Sequence, residues 1–378
     1  MTGATTGASL AGADRGPAAD ATLTTPTSPE PDPPAATTVD VDGVTRARRS
    51  RRRRQALVIG VGAVVAVALA LVASSFGAAA VTPDRVLGVL FGQGDRVDRF
   101  VVLELRLPRI VAALIVGLAF ALAGAVFQAT LRNPLASPDI LGVSTGASLG
   151  AVWAMLGLGL TGAVVAGFAF AGGIAVAVVI WLAAWRRGLH GVRFVLVGVG
   201  MSYVCGSTIA WLLARGEVRE AQSALHWTVG SVSDVRGEEL GLLALGVLAG
   251  VIAVAACARV LAPLALGDDR AAALGVRANA GRIVLLLAAV ALVATAASVA
   301  GPIAFVALIA PAVARRLVGG GGAALTASAV VGAVLVLGAD VIGQFAIPGL
   351  TAPVGIVTGV IGAPYLLWLL ARTERTRA

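Results

Sequence analysis

The sequence contains no lysine: all 29 basic residues among its 378 are arginines. A phosphate-binding loop of the form GxxxxGK[ST] needs a lysine at the phosphates, so that ATPase site is excluded, and so is Schiff-base chemistry. Charge is scarce altogether. Only 13% of the residues are charged and 58% are hydrophobic, where a soluble globular chain averages about a quarter charged. The two cysteines, Cys205 and Cys257, fall inside apolar runs, so they read as small buried thiols with no disulfide framework. The two histidines, His190 and His226, lie in different loops and show no metal-ligand spacing. Paired carboxylates and nucleophile–base motifs are absent too, which leaves an enzyme reading without support.

What the chain does contain is a succession of uncharged runs of roughly twenty residues, the length that matches the hydrocarbon thickness of a bilayer. The charges cluster between these runs, and 14 of the 49 fall in residues 1–54. Residues 1–45 are rich in Ala, Thr, Pro, Gly and Asp without apolar periodicity, the composition of a disordered tail. Arg46, Arg48, Arg49 and Arg51 to Arg54 then abut the first apolar run. A long polar stretch ahead of them argues against a cleaved secretory signal. The cluster reads as a topology anchor, with an anionic-lipid or nucleic-acid patch as the alternative.

Ten spans are expected, over 55–77, 107–129, 139–158, 162–185, 193–214, 239–258, 282–300, 302–318, 323–342 and 354–371. With the amino terminus in the cytoplasm, 21 arginines fall on inner segments and 8 on outer ones, and the outer segments also carry nine acids. That satisfies the positive-inside rule, with residues 372–378 as a short cytoplasmic tail. The expected fold is therefore an all-α polytopic membrane protein. Gly142, Gly146 and Gly150 share one face of the third span and Gly355 and Gly359 one face of the last. Small residues at such spacing let helix backbones approach closely in lipid.

Membrane-embedded charge is where chemistry is sought first, because it is costly to bury. Asp340, near the outer end of the ninth span, is the sole candidate, and no carboxylate is expected to lie deep. A proton- or sodium-driven carrier needs such groups or broken helices around an ion, so the driving energy is expected from elsewhere. Three segments stand out. LRLPR, Leu105 to Arg109, places Arg106 and Arg109 at the outer start of the second span, either to snorkel to headgroups or to dock an acidic partner. QATLRNPLASPDILG, Gln128 to Gly142, holds Arg132 and Asn133-Pro134 at an inner turn. There Ser137 is expected to cap the next helix, and nothing explains Gln128 inside the membrane. LGDDRAAALGV, Leu266 to Val276, lies in the longest inner loop. Asp268 is expected to cap a short helix there and Gly275 to stop it, leaving an apolar ridge for a partner's groove.

These segments, in this order, resemble the FecCD-type permeases, the membrane subunits of ABC importers for ferric siderophores, haem and vitamin B12. LRLPR followed by Gly117 to Gly150 is the strongest match. HWTVGS (His226 to Ser231), LALGDDRAAALGV (Leu264 to Val276), GPIAFVALIAP (Gly301 to Pro311) and PVGIVTGVIGAPYLLWLL (Pro353 to Leu370) follow at the expected intervals. The resemblance covers residues 55–371 and implies the ten-helix, type II importer permease fold, paired two-fold with an identical or different permease. It implies that Arg106 and Arg109 receive acidic residues of an extracytoplasmic siderophore-binding protein. It further implies that Gly267, Asp268, Asp269, Ala272, Leu274 and Gly275 belong to the helix that docks on a separate ATPase subunit. The fifth and tenth spans would line the pathway, with the second and third nearby. ATP would be used by the partner, with no cofactor on this chain. The location implied is the cytoplasmic membrane of a bacterium, with both termini cytoplasmic. Three positions depart from the family pattern. Gln344 replaces an outer arginine, Thr351 an acid, and Ala312 a histidine. The first two thin the outer charge and suggest an altered docking surface or a non-identical permease partner. The expected function is inward passage of a ferric siderophore by alternating access, with no nucleic-acid partner. A cobalamin or haem importer is the alternative within the class, and an ATP-independent secondary transporter or a non-transporting scaffold the alternatives outside it.

Overall fold

In lipid every backbone polar group has to be satisfied within the segment, and long apolar runs can do that only as helices. The structure, a computed structural model describing residues 41–77, 81–139, 141–184, 191–275, 278–319, 322–347 and 349–375, obeys that rule. No strand occurs among the described residues. The tail 1–40, His190, Arg15, Arg186, Arg187, Arg277 and Arg377 lie outside them.

The chain runs α1 (Val41–Ser75), α2 (Pro83–Leu90), α3 (Arg96–Arg99), a π-helical stretch Phe100–Arg106, then α4 (Leu107–Thr130) and α5 (Val143–Val152). A second π-helical turn, Trp153–Gly157, extends α5. It continues with α6 (Ala163–Ala184), α7 (Gly191–Arg215), α8 (Val218–Val229), α9 (Gly237–Ala265) and α10 (Asp268–Ala273). Four helices complete it: α11 (Ala278–Ala300), α12 (Val306–Val318), α13 (Leu325–Phe345) and α14 (Val354–Arg375).

Each of the ten expected spans coincides with a helix, but they are not equals. Among the described residues seven are long and apolar enough to cross a membrane, and Val143–Gly157 and Val354–Trp368 are shorter apolar helices. The expected span 302–318 is corrected. Gly301 (φ 68°) and Phe305 (φ 67°) both take left-handed backbone, so α12 starts only at Val306. Its 13 residues reach about 20 Å, two thirds of a hydrocarbon core. The arginine cluster has regular structure of its own. Residues 45–55 hold neither proline nor glycine and arginine is a good helix former, so the arginine run is helical and continuous with the first span.

Most of α4 and α11 is buried, whereas α1, α7 and α9 stay largely exposed. The core is therefore built around α4, with Phe120 and Phe127 fully enclosed. Backbone contact makes this possible. A Cβ on Gly117 would collide with the Gly332 carbonyl on α13, and one on Gly124 with the Ala307 carbonyl on α12. Lipid offers helices no hydrophobic reason to associate, so such close approach supplies the dispersion contact that holds them.

Candidate functional site

A short helix, α10, stands between the full-length α9 and α11. Gly267 turns the chain at φ 107°, a backbone that strains any L side chain, and α10 follows for six residues. The expectation that Asp268 caps it is corrected: Gly267 occupies the cap and Asp268 is the first helical residue. Gly275, at φ 76°, ends it, its amide donating to the Ala272 carbonyl at 2.9 Å. Ala271 is enclosed, while Asp269, Ala272 and Leu274 face outward, Leu274 with 63% of its surface free. That leaves a small apolar knob on a short helical turn.

The Gln128–Gly142 segment packs beside it. α4 ends at Thr130, and Arg132 takes a left-handed backbone (φ 51°) before Asn133-Pro134. The Asn133 Oδ1 accepts from the Leu135 amide at 2.9 Å, an Asx turn. The expected cap at Ser137 is corrected. Its hydroxyl accepts from the Asp139 amide at 3.2 Å in a local turn, and α5 begins only at Val143, after Gly142 at φ 82°. Gly142 is glycine because α7 passes beside it; a Cβ there would stand 2.9 Å from the Ser202 hydroxyl. The Arg132 guanidinium lies 3.6 Å from where a Cβ on Gly267 would be, so the inner turn abuts the start of α10.

Gln128 now has an explanation. It is 4% exposed, and its Nε2 donates to the Leu308 carbonyl at 3.1 Å and the Ala307 carbonyl at 3.5 Å. Pro311, inside α12, has no amide to give to Ala307, four residues earlier. Gln128 supplies the missing donor from α4.

Discontinuous helices meet at a cavity of about 290 Å³ lined by Asp139, Ser144, Thr145, Ser148, Thr228 and Pro302. Asp139 accepts from the Ser144 and Ser137 hydroxyls. Asp340, at the far end of α13, is 1% exposed.

Asp340 is held by Arg109, whose Nη2 stands 2.7 Å and Nε 3.0 Å from the two carboxylate oxygens. Gln344 donates to the same carboxylate at 2.6 Å. The residue replacing the family's outer arginine thus completes the shell of the acid that neutralises Arg109. Arg106 donates to the Ser74 carbonyl at the end of α1. Both arginines are turned into the protein and tie the end of α1, the start of α4 and the end of α13. Thr351 is exposed, and Ala312 is buried in α12.

The glycine face divides. Gly146 and Gly150 pack on α6, against Gly172 and Phe168, and Gly355 packs on the Val229 carbonyl. Gly359 has nothing within 4 Å of its Cβ position among the described residues. Near Gly355 three backbones cross. The Gly355 amide donates to the Gly230 carbonyl at 3.1 Å and the Ser231 amide to the Ala300 carbonyl at 2.7 Å. A Cβ on Gly230 would strike the Pro302 carbonyl. Sequence reasoning missed Gly117, Gly124, Gly230 and Gly332. The seven-residue spacing of Gly117 and Gly124 was the available signal.

Comparison with known proteins agrees with this architecture. The FecCD transport family model matches residues 63–372. The ferric enterobactin transport system permease protein FepG of Escherichia coli is 38% identical over 301 residues, 80% of this chain and 91% of that protein. The probable siderophore transport system permease protein YfhA of Bacillus subtilis is 36% identical over 316 residues, 81% of this chain and 91% of that protein. The solved structure of a metal-chelate type ABC transporter in an inward-facing conformation superposes with a TM-score of 0.73 at 25% identity, over 84% of this chain and 99% of that one. This multi-pass membrane protein belongs to the FecCD transport family.

Proposed function

We propose that the chain is the permease subunit of an ATP-binding-cassette importer that passes a ferric siderophore inward across the cytoplasmic membrane, both termini facing the cytoplasm. The observation that carries this reading is α10, a short exposed helix with Leu274 at its end, set between two full spans. It fits the groove of a separate ATPase subunit, which binds and hydrolyses ATP. Closure of the nucleotide-bound ATPase pair pushes α10, and α9 and α11 move with it as rigid bodies. Arg132 beside Gly267 gives the same push a second purchase, on the inner end of α4. Gln128 carries it from α4 to α12.

The cargo needs weak binding along its route, which suits the apolar outward faces of α7 and α14. Leu196, Tyr203 and Val360 there are 71%, 76% and 69% exposed. A second permease subunit covers these faces, and the open Gly359 lies on one of them. The names of the relatives, a ferric enterobactin permease and a siderophore permease, support the choice of cargo. An extracytoplasmic binding protein delivers it.

The test is reconstitution of the permease pair with its ATPase and binding protein in proteoliposomes. Leu274→Asp should abolish uptake of labelled siderophore while the ATPase keeps hydrolysing. Uptake at the wild-type rate removes α10 from the coupling path. Uptake by the permease without any ATPase removes the importer reading itself.

A further inference from the structure

The cavity of about 290 Å³ beside Asp139 takes no part in the coupling path, and its chemistry is one-sided. It lies where three interrupted elements meet. Asp139 comes from the turn ahead of α5, Thr228 from the last turn of α8, and Pro302 from the turn 301–305 ahead of α12. Ser144 and Ser148, one helical turn apart on α5, complete the polar wall and are 5% and 4% exposed.

The hydroxyls of this wall have spent their protons on the protein. Ser144 donates to the Asp139 carboxylate, Ser148 to the Ser144 carbonyl at 3.2 Å, and Thr228 to the Leu225 carbonyl at 2.7 Å. The Thr145 hydroxyl, next along α5, can rotate to present its oxygen as well, and Pro302 has no amide to give. Asp139 accepts from Ser144 and, at 3.4 Å, from Ser137. A carboxylate offers about four acceptor sites, so about two remain. What faces the cavity is therefore oxygen lone pairs, which call for a cation or a donor.

Charge points the same way. The ion pairs among the described residues are Arg85–Asp98 and Arg109–Asp340, and neither involves Asp139. The nearby N-terminus of α5 supplies only about half a positive charge. A carboxylate enclosed in an apolar bundle is costly unless a full positive charge meets it. The ligand set also selects the kind of cation. Calcium takes about six to eight oxygens, commonly several from carboxylates, and no three metal-ligating side chains gather among the described residues. One carboxylate with neutral hydroxyls suits a single positive charge. A water occupies about 30 Å³ in the liquid, so the cavity has room for an alkali cation with part of its water shell.

We propose that this cavity is a monovalent-cation site, in which Asp139, Ser144, Ser148 and Thr228 hold sodium or potassium with bridging waters. The ion fastens the start of α5 to the end of α8 and to the turn from which α12 departs. It fixes the place where α12 begins, the helix whose Leu308 carbonyl Gln128 grips from α4. The inference goes beyond the importer reading and uses none of it.

The experiment uses the purified full-length permease in detergent micelles. Its thermal unfolding midpoint is followed by a thiol-reactive dye at Cys205 in sodium, potassium or N-methylglucamine chloride at equal ionic strength. Sodium or potassium should raise the midpoint by a few degrees over N-methylglucamine and saturate as a single site does. Comparison of the two salts identifies the preferred ion. Asp139→Asn should abolish the rise. Thr228→Val keeps the carboxylate and removes one oxygen, so the half-saturating concentration should climb roughly tenfold, which preserves the test if Asp139→Asn does not fold. Thr351→Val, at an exposed threonine away from the cavity, should titrate as wild type. Equal midpoints in the three chlorides overturn the proposal. A rise that survives unchanged in Asp139→Asn or in Thr228→Val also overturns it, because the ion then binds elsewhere. A midpoint that ignores all three salts but climbs on acidification gives the site to a proton and overturns it as well.

Discussion

Gln128 and Pro311 offer the sharpest quantitative test of the structure. Replacing Gln128 by Leu keeps volume but removes the donor that serves the carbonyls of Leu308 and Ala307. Losing a buried hydrogen bond costs about 0.5–1.5 kcal/mol net, and leaving its acceptor without a partner about 1–3. One opposing effect applies. The Gln128 Oε1 is itself buried without a partner, and Leu removes it. The expected cost is therefore about 1–2 kcal/mol. The Ala307 carbonyl lacks a helical donor only because residue 311 is proline. Pro311→Ala restores that donor, so in its background Gln128→Leu should cost close to nothing, a coupling of about 1 kcal/mol in a double-mutant cycle. Equilibrium unfolding in mixed micelles reads it, with a thiol-reactive dye reporting release of Cys205, which is 1% exposed when folded. An equal cost of Gln128→Leu in both backgrounds would refute the reasoning.

The Arg109–Asp340 pair should behave as a buried ion pair. Arg109→Met leaves the Asp340 charge enclosed and should cost about 3 kcal/mol, the low end for such pairs because Arg109 is partly solvated; Arg109→Met with Asp340→Leu should recover most of that, measured as unfolding midpoint in the same micelles. If the single and double variants unfold together, the pair carries no such charge penalty. Gly124→Val should prevent α4 from meeting α12, giving no monodisperse protein by size exclusion, whereas Gly359→Ala, with open space at its Cβ, should elute as wild type. A folded Gly124→Val protein would show that the backbone contact is not needed.

The spans were legible because hydrocarbon thickness imposes a length on uncharged runs. α12 was not legible in the same way: its run is long enough, but Gly301 and Phe305 turn the backbone first, and Phe305 gives no local sign of a left-handed conformation. The Gly275 stop of α10 was visible as a glycine after a helical run, yet the cap was assigned to Asp268 one residue late, since acids usually hold that place. Arg106 and Arg109 could be seen but not their partners. Asp340 is 231 positions away in sequence, and only the packing of α13 on α4 brings it within reach. Gln128 was conspicuous and unexplained for the same reason, because its partners lie on α12, about 180 residues downstream. Local pattern reports what a segment must be, and pairing across the bundle decides what each polar group is for.

The crossing of backbones around Gly230, Ala300 and Gly355 carries a consequence for biogenesis. The carbonyl of Gly230 leaves the ribosome about 125 residues before the amide that satisfies it, a delay of roughly 6–25 s at ordinary translation rates. Through that interval the half-built bundle holds an open seam, which closes only when the last helix is threaded in. A stop codon placed just ahead of Pro353 should therefore yield a chain that inserts its earlier spans yet is handed to membrane quality control.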